Sequence, residues 1–313
     1  VKSQVSDERL VCPHCGEPLE SALETLQCAG CDLRVPVTNG IPRFVADEYS
    51  ASFGRQWNRY EVARPEEDAA VFRVKTGFDA HQLAGRSVLD AGCGGGRYTR
   101  LLAEAGARVT GVDRSRAVEK AADICSHPTG ARFIQADLEL LPLAEASFDF
   151  VFSIGVLHHG PRPKAAFHSI ARRVKPGGSL AVWLYRKNTL PQELANRALR
   201  AVTTRMPDQV LEPACSALGL LGGIPLVNQS LNKIFNFSNH PDWVLRVCDN
   251  FDWYSPRFQS HHTLPELRSW FEKAGFEDLV ELRPAKAGRF YEWAYDHDLL
   301  IGSGVNVVGR KKS

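Results

Sequence analysis

The run Val88-Leu89-Asp90-Ala91 followed by Gly92, Gly94, Gly95 and Gly96 narrows the fold more than any other part of this chain. A short apolar run of this kind has the length of a buried strand. The glycines behind it let the backbone turn sharply and let a ligand lie against peptide groups, because no Cβ stands in the way. A helical pattern begins at Arg97. Strand, glycine turn and helix together open a nucleotide-binding βαβ unit. The alternation then repeats, with strands expected at 108–112, 131–135, 148–153 and 179–184. Helices are expected at 116–125 and 164–174, the second stopped by Pro176-Gly177-Gly178. Such alternation predicts a parallel sheet with helices on both faces. Farther on, a helix over 264–274 has Thr263 as its N-cap and Gly275 as its stop, and strands follow at 278–282 and 305–309.

Acids stand in register at the ends of these strands. Asp113 ends the second strand, where a carboxylate can grip both hydroxyls of a ribose. Asp137, with Leu138 behind it, follows the third strand, in reach of an adenine amino group. Asp90 immediately precedes the loop, and the spacing is Asp-x-Gly-x-Gly-x-Gly. A pyrophosphate would seat on the helix N-terminus, and a carboxylate beside it would repel it. An ammonium group suits Asp90 instead. S-adenosylmethionine (SAM) offers that ammonium and carries no pyrophosphate.

Three segments carry a family resemblance: VLDAGCGGGRYTRLLAEAGARVTGVDRS, FIQADLELLPLAEASFDFVFSIGVLHH and IARRVKPGGSLAVW. Over residues 87–187 they resemble successive motifs of class I SAM-dependent methyltransferases. The resemblance implies a Rossmann-like α/β fold of seven strands, the last inserted antiparallel beside the fifth. It implies an enzyme that transfers one-carbon groups, with SAM contacts from Asp90, Gly92, Gly94, Asp113, Asp137 and Leu138. Phe53-Gly54-Arg55-Gln56-Trp57 resembles the lid helix that covers SAM in related enzymes.

Of eight cysteines, four form the pairs Cys12-Pro-His-Cys15 and Cys28-Ala-Gly-Cys31. Two such knuckles place four thiolates around one tetrahedral ion. Four sulfur ligands close the shell, so a structural Zn2+ is expected, with His14 surplus. Val35–Phe44 completes a resemblance to the small zinc-ribbon proteins that partner and activate methyltransferases. Cys93, Cys125, Cys215 and Cys248 are scattered and read as buried small apolar residues.

Methyl transfer needs an acceptor lined up behind the sulfonium methyl, and in this fold the acceptor faces the ends of the fourth and fifth strands. His159 falls there, where the resemblance implies a histidine that helps position or deprotonate the acceptor. Residues 249–262 mix aromatic and polar groups on what reads as an irregular segment. Tyr254 and His261 are its catalytic candidates, and Arg257 and Gln259 its substrate-binding candidates. We expect His159, Tyr254, Arg257 and His261 to converge on one cavity. The organisation expected is a zinc ribbon over 1–48, a SAM-binding core over 49–187, a mainly helical cap over 188–250 and the remainder of the core over 251–313. Pro191, Pro207, Pro213, Pro225 and Pro241 read as breakers within the cap.

Composition then limits function. A net charge of +2 gives no footprint for a polyanion, and the cap carries no basic stripe, so a small-molecule acceptor is favoured over nucleic acid. Apolar runs such as Leu218–Leu221 point the same way, and residues 249–262 resemble a segment of bacterial methyltransferases of secondary-metabolite and surface-sugar pathways, which implies a specialised-metabolite biosynthetic pathway. Two alternatives share these motifs: ribbon-assisted rRNA or tRNA methylation, and cyclisation of SAM to azetidine-2-carboxylate and methylthioadenosine. No run reaches membrane-spanning length and residues 1–10 are polar, so a cytoplasmic location is expected.

Overall fold

A computed structural model describes residues 10–22, 24–45, 65–126, 130–187, 189–224, 240–283 and 304–313, with the single positions 227, 235 and 238. The proposed lid segment at 53–57 lies outside the described residues.

The N-terminal part is an antiparallel sheet of β1 (Leu19–Ala22), β2 (Thr25–Cys28), β3 (Arg34–Thr38) and β4 (Ile41–Pro42), in that order. Its apolar core is small, with Cys12, Leu26, Val35 and Ile41 buried. A core of that size needs a staple or a neighbour.

The chain continues through α1 (Pro65–Thr76), β5 (Ser87–Ala91), α2 (Arg97–Glu104), β6 (Arg108–Asp113), α3 (Ala117–Ile124), β7 (Ala131–Gln135), β8 (Phe148–Ile154), α4 (Pro163–Arg172) and β9 (Val174–Tyr185). Among the described residues, three cap helices follow: α5 (Leu190–Thr203), α6 (Asp208–Gly222) and α7 (Trp243–Tyr254). Then come α8 (Leu264–Lys273), β10 (Phe276–Glu281) and β11 (Gly304–Lys311). The large sheet has the order β10-β11-β9-β8-β5-β6-β7. β9, β8, β5, β6 and β7 pair in parallel, while β11 is antiparallel to both β9 and β10. This is the seven-stranded arrangement that the motif resemblance implies.

Both faces of the sheet are covered, which explains why its central strands read as continuous apolar runs. On one face Phe72 of α1 packs with Tyr98, Phe150 and Phe152, the last ring centroid 5.3 Å away. On the other, Phe167 of α4 and Phe271 of α8 cover Leu89, Val151 and Val182, their rings 5.0 Å apart. Burial of each such ring contributes about 1.5–3 kcal/mol.

Three expectations change. Pro176-Gly177-Gly178 does not separate helix from strand. α4 has already ended at Arg172, and β9 runs through the triplet, with Gly177 at φ 75° and a register shift against β8. Pro191 opens α5 rather than breaking it, since a first-turn residue has no helical N–H bond to lose, and α6 continues through Pro213. Residues 249–254 belong to α7, which Asp242 caps through Val244 N–H at 2.7 Å. Leu245, Cys248 and Phe251 form its buried stripe, a helical spacing that the dense aromatic and acidic composition obscures.

The ribbon docks on the free edge of β7. Phe44 N–H donates to Gln135 O at 2.8 Å and Val11 N–H to Pro142 O at 3.1 Å. Arg43 donates to Gln135 Oε1 and to Glu119 Oε1, each at 2.9 Å. These contacts occupy an edge that would otherwise stay open for pairing.

Candidate active site

A cavity of about 320 Å3 opens at the carboxyl ends of the parallel strands. Asp90, Gly92, Gly94, Asp113, Asp137 and Leu138 all line it, which brings together the six residues assigned to the cofactor from sequence. Gly92 has φ 95°, and a Cβ there would stand 2.3 Å from Val156 Cγ2, so the backbone comes this close only without a side chain. Asp113 fastens the loop: its Oδ2 accepts from Gly94 N–H at 2.9 Å, and its Oδ1 from Ser115 N–H at 2.8 Å and Ser115 Oγ at 2.7 Å. Burial raises the Asp113 carboxyl above its ordinary range, against the pull of those donors. Asp137 caps the short turn at 138–140 by accepting from Glu139 N–H at 2.9 Å, and it pairs with Arg114. Asp90 is almost fully buried, and its Oδ2 accepts from Thr99 Oγ1 at 2.7 Å. Burial pushes its carboxyl up to about 7, with the Thr99 hydrogen bond opposing. A buried acid held this high favours a cationic partner.

Asp113→Ala should weaken binding of S-adenosylhomocysteine by about 1–3 kcal/mol, the cost of losing hydrogen bonds to a charged group. The variant also frees Gly94 and Ser115, so both the ligand contact and the loop shape are lost. Calorimetry giving wild-type affinity would remove Asp113 from the cofactor site.

The other end of the cavity holds His159, in the turn after β8. Its Nε2 lies 3.4 Å from Asp252 Oδ2, and Tyr185 Oη donates to the same oxygen at 2.7 Å. Asp252 is partly buried, which raises a carboxyl. His159, Tyr185 and Arg200 outweigh that and hold it below its ordinary range. Burial and the nearby Asp252 charge push the Tyr185 hydroxyl well up, so it stays a donor. Tyr185 stacks on His158 with centroids 3.8 Å apart.

The expected convergence of four side chains gives way to a different set. Tyr254, Arg257, Gln259 and His261 do not line this cavity. Tyr254 packs with Leu211, Cys215 and Phe251 inside the cap. Arg257 is exposed beside Phe258. Gln259 donates weakly to Trp253 O at 3.4 Å, and His261 Nδ1 meets Glu193 Oε1 at 2.5 Å. The cavity is walled instead by Lys75, Trp183, Tyr185, Asp249 and Asp252. Helix α7 explains the exchange. Asp249 and Asp252 share a face at i and i+3, while Tyr254 points into the cap core. Trp183 and Tyr185 likewise share a face of β9 at period two.

In the ribbon, the ligand atoms of Cys12, Cys15, Cys28 and Cys31 lie within 4.8 Å of one another. Cys15 and Cys28 Sγ are 3.3 Å apart, and Cys12 and Cys31 Sγ 3.6 Å. A tetrahedron with Zn–S bonds near 2.3 Å has edges of about 3.8 Å, so the four sulfurs fit one ion after small shifts. Gly30 N–H points at Cys28 Sγ at 3.3 Å, a second-layer contact that suits a thiolate. His14 is exposed and is not among these ligands.

Comparison with known proteins agrees with this geometry. A family profile described as "Methyltransferase domain" matches residues 89–182. A ubiquinone biosynthesis O-methyltransferase of Pseudomonas fluorescens is 33% identical over 136 residues, covering 42% of this chain and 59% of that protein. The match thus spans little more than half of the relative's length. Among solved structures, a complex between the Haloferax volcanii Trm112 methyltransferase activator and a methyltransferase has 15% identity and a TM-score of 0.49, covering 86% of this chain and 98% of the matched one. An S-adenosylmethionine-dependent methyltransferase from Mesorhizobium loti has 20% identity and a TM-score of 0.44, covering 73% and 92%. Residues 89–182 thus match a methyltransferase domain, and they lie within the seven-stranded sheet that the motif resemblance implies.

Proposed function

We propose that this protein methylates a hydroxyl group of a small molecule in a specialised-metabolite pathway, with SAM as donor and His159 as general base. The observation that carries the reading is the single cavity, with the glycine loop and strand-end acids at one end and His159, Asp252 and Tyr185 at the other. SAM supplies a methyl group on a sulfonium. Asp90 would hold its ammonium, Asp113 its ribose, and Asp137 with Leu138 its adenine. A hydroxyl acceptor arrives protonated, so a base is needed. The His159 imidazole takes that proton, and Asp252 stabilises the imidazolium that forms. Tyr185 fixes the Asp252 carboxylate by its hydrogen bond. Residues of α7 and β9 wall the acceptor side of the cavity. The O-methyltransferase relatives favour an oxygen acceptor, and the small, mostly apolar space favours a small one over RNA.

Incubation with SAM alone, and with SAM plus metabolite extracts, tests the reading by mass spectrometry. S-adenosylhomocysteine that appears only with extract is the expected product. Methylthioadenosine from SAM alone would assign the cyclisation chemistry instead, and methylation of added RNA would assign the nucleic-acid reading.

The Asp90 carboxyl gives this reading a pH signature. Its pKa near 7 means that it must lose a proton to pair with an ammonium. Affinity for S-adenosylhomocysteine should therefore rise with pH up to about 7 and then level. Asp90→Asn should flatten the curve, and an unchanged curve in that variant would dismiss the pairing. The same shift makes the cofactor-free protein lose stability as pH climbs from about 4, where the unfolded carboxyl ionises, to about 7.

A further inference from the structure

Three Lys or Arg side chains line the cavity: Lys75, Arg97 and Arg114. Arg97 pairs with Asp68, which is nearly buried, and Arg114 pairs with Asp137. Lys75 forms no ion pair or hydrogen bond with any described residue, and its Nζ lies over the Trp183 ring, 3.7 Å from the centroid. A cation–π contact contributes about 0.5–2 kcal/mol and offers no oxygen to the three ammonium donors. Burial, with Arg97 nearby, lowers the Lys75 ammonium to about 8, and the charge of Asp249 offsets this only in part, without a hydrogen bond or ion pair between the two among the described residues.

The position of Lys75 is fixed by its helix. It stands in the last turn of α1, where Asn306 Nδ2 donates to Val74 O at 3.3 Å and Thr76 Oγ1 to Phe72 O at 2.8 Å. Phe72 anchors the same turn in the aromatic core. The ammonium is thus held by packing rather than swinging at the surface.

Other acids of the cavity are committed elsewhere. Asp113 holds the glycine loop, Asp137 pairs with Arg114, Glu139 pairs with Arg162, and Asp252 takes Tyr185 and His159. Asp249 accepts from Ser238 Oγ at 2.7 Å, and burial raises its carboxyl against the pull of Ser238, His240 and Lys75. Lys75 lies toward the acceptor end. Trp183, on which it rests, meets Tyr185 edge-on at 5.6 Å and closes against Gly155 at the end of β8.

We propose that Lys75 anchors an acidic group of the acceptor, so that the molecule methylated is a small, flat hydroxy acid that enters as its anion. This rests on the methyltransferase reading above and deepens it to a substrate class. The planar walls of Trp183, Tyr185 and His159 suit an arene, and the ammonium over Trp183 takes the carboxylate at its edge. Lys75 is then a positioning and specificity residue, and His159 remains the base.

Equilibrium binding tests this without turnover. Protein saturated with S-adenosylhomocysteine is titrated calorimetrically with benzoate, salicylate and protocatechuate, each against its neutral carboxamide. Wild type should bind at least one acid about tenfold or more tighter than its amide, as a charge-assisted contact in a partly dry site requires. Lys75→Met should abolish that preference while keeping affinity for S-adenosylhomocysteine, and Lys75→Arg should retain most of it. Lys75→Gln serves if the methionine variant does not fold. The proposal is overturned if wild type prefers no acid, or if Lys75→Met keeps the preference. Loss of S-adenosylhomocysteine affinity in a folded Lys75→Met would give the lysine to the cofactor's carboxylate. Failure of Lys75→Arg to restore the preference would end the anchor role. A wild type that binds acids selectively yet makes no S-adenosylhomocysteine from SAM would sink the methyltransferase reading and leave the anion site standing.

Discussion

His159→Asn should lower kcat about 10²–10⁴-fold, the usual contribution of a positioned general base, with little change in affinity for S-adenosylhomocysteine. The asparagine keeps a polar group near Asp252 but cannot accept and return a proton. Asp252→Asn should cost about a hundredfold by a different route, because an amide neither stabilises the imidazolium nor holds the ring as the carboxylate does. The carboxylate is partly buried and takes the Tyr185 hydroxyl at 2.7 Å, and its neighbours outweigh burial and hold it below its ordinary range. The two losses should not add, since both act on one proton transfer. Tyr185→Phe removes only the bond that steadies Asp252, so its effect should be smaller than either. Single-turnover rates at saturating SAM, alongside calorimetry, separate these outcomes. If His159→Asn and Asp252→Asn both stay within about threefold of wild-type kcat, the acceptor is not deprotonated here. If His159→Asn instead loses cofactor affinity, the imidazole belongs to the SAM end.

The two ends of this cavity differ in how far they can be read from sequence, and the cause is physical. The cofactor end is encoded in backbone. Gly92 must adopt φ 95° against Val156, and Asp113 must end a strand to reach Gly94 N–H, so both leave fixed signatures in the chain. Four cysteines in two knuckles are equally explicit, because a metal shell dictates spacing. The acceptor end is assembled from elements distant in sequence, and each conceals its functional residue in an ordinary pattern. Lys75 is one basic residue in the last turn of a charged helix. Trp183 and Tyr185 look like strand apolar residues, which they also are. Asp249 and Asp252 gain meaning only when α7 is recognised, and the cluster of aromatic residues around them disguised its period. The i, i+3 spacing of those acids was the available signal. Tyr254 and His261 carry suitable chemistry, but the same helix turns Tyr254 into the cap core, and Glu193 takes His261.

Removal of the ribbon's metal should have the largest effect on stability. Protein purified without chelator is expected to carry about one zinc per chain, and Cys28→Ser close to none. Metal binding to sites of this type contributes about 10–16 kcal/mol of apparent free energy, far more than the few buried side chains of the four-stranded sheet supply. Without metal the ribbon should therefore unfold, seen as loss of amide protection over residues 10–45 in hydrogen exchange. The methyltransferase sheet has its own large cores and should remain folded. The consequence for binding follows from the docking contacts. Arg43 and Phe44 hold Gln135 at the end of β7, Gln135 Nε2 donates to Arg114 O at 3.0 Å, and Arg114 pairs with Asp137, the residue proposed to meet the adenine. Releasing the ribbon loosens the first link of that chain, so S-adenosylhomocysteine should bind about two- to tenfold more weakly, with kcat at saturating SAM little changed. Arg43→Ala should reproduce the weaker binding while the ribbon keeps its zinc, which separates docking from folding. Metal-free wild-type protein that retains amide protection at 10–45 would rule out a structural ion, and unchanged cofactor affinity in Arg43→Ala would rule out the link through Gln135.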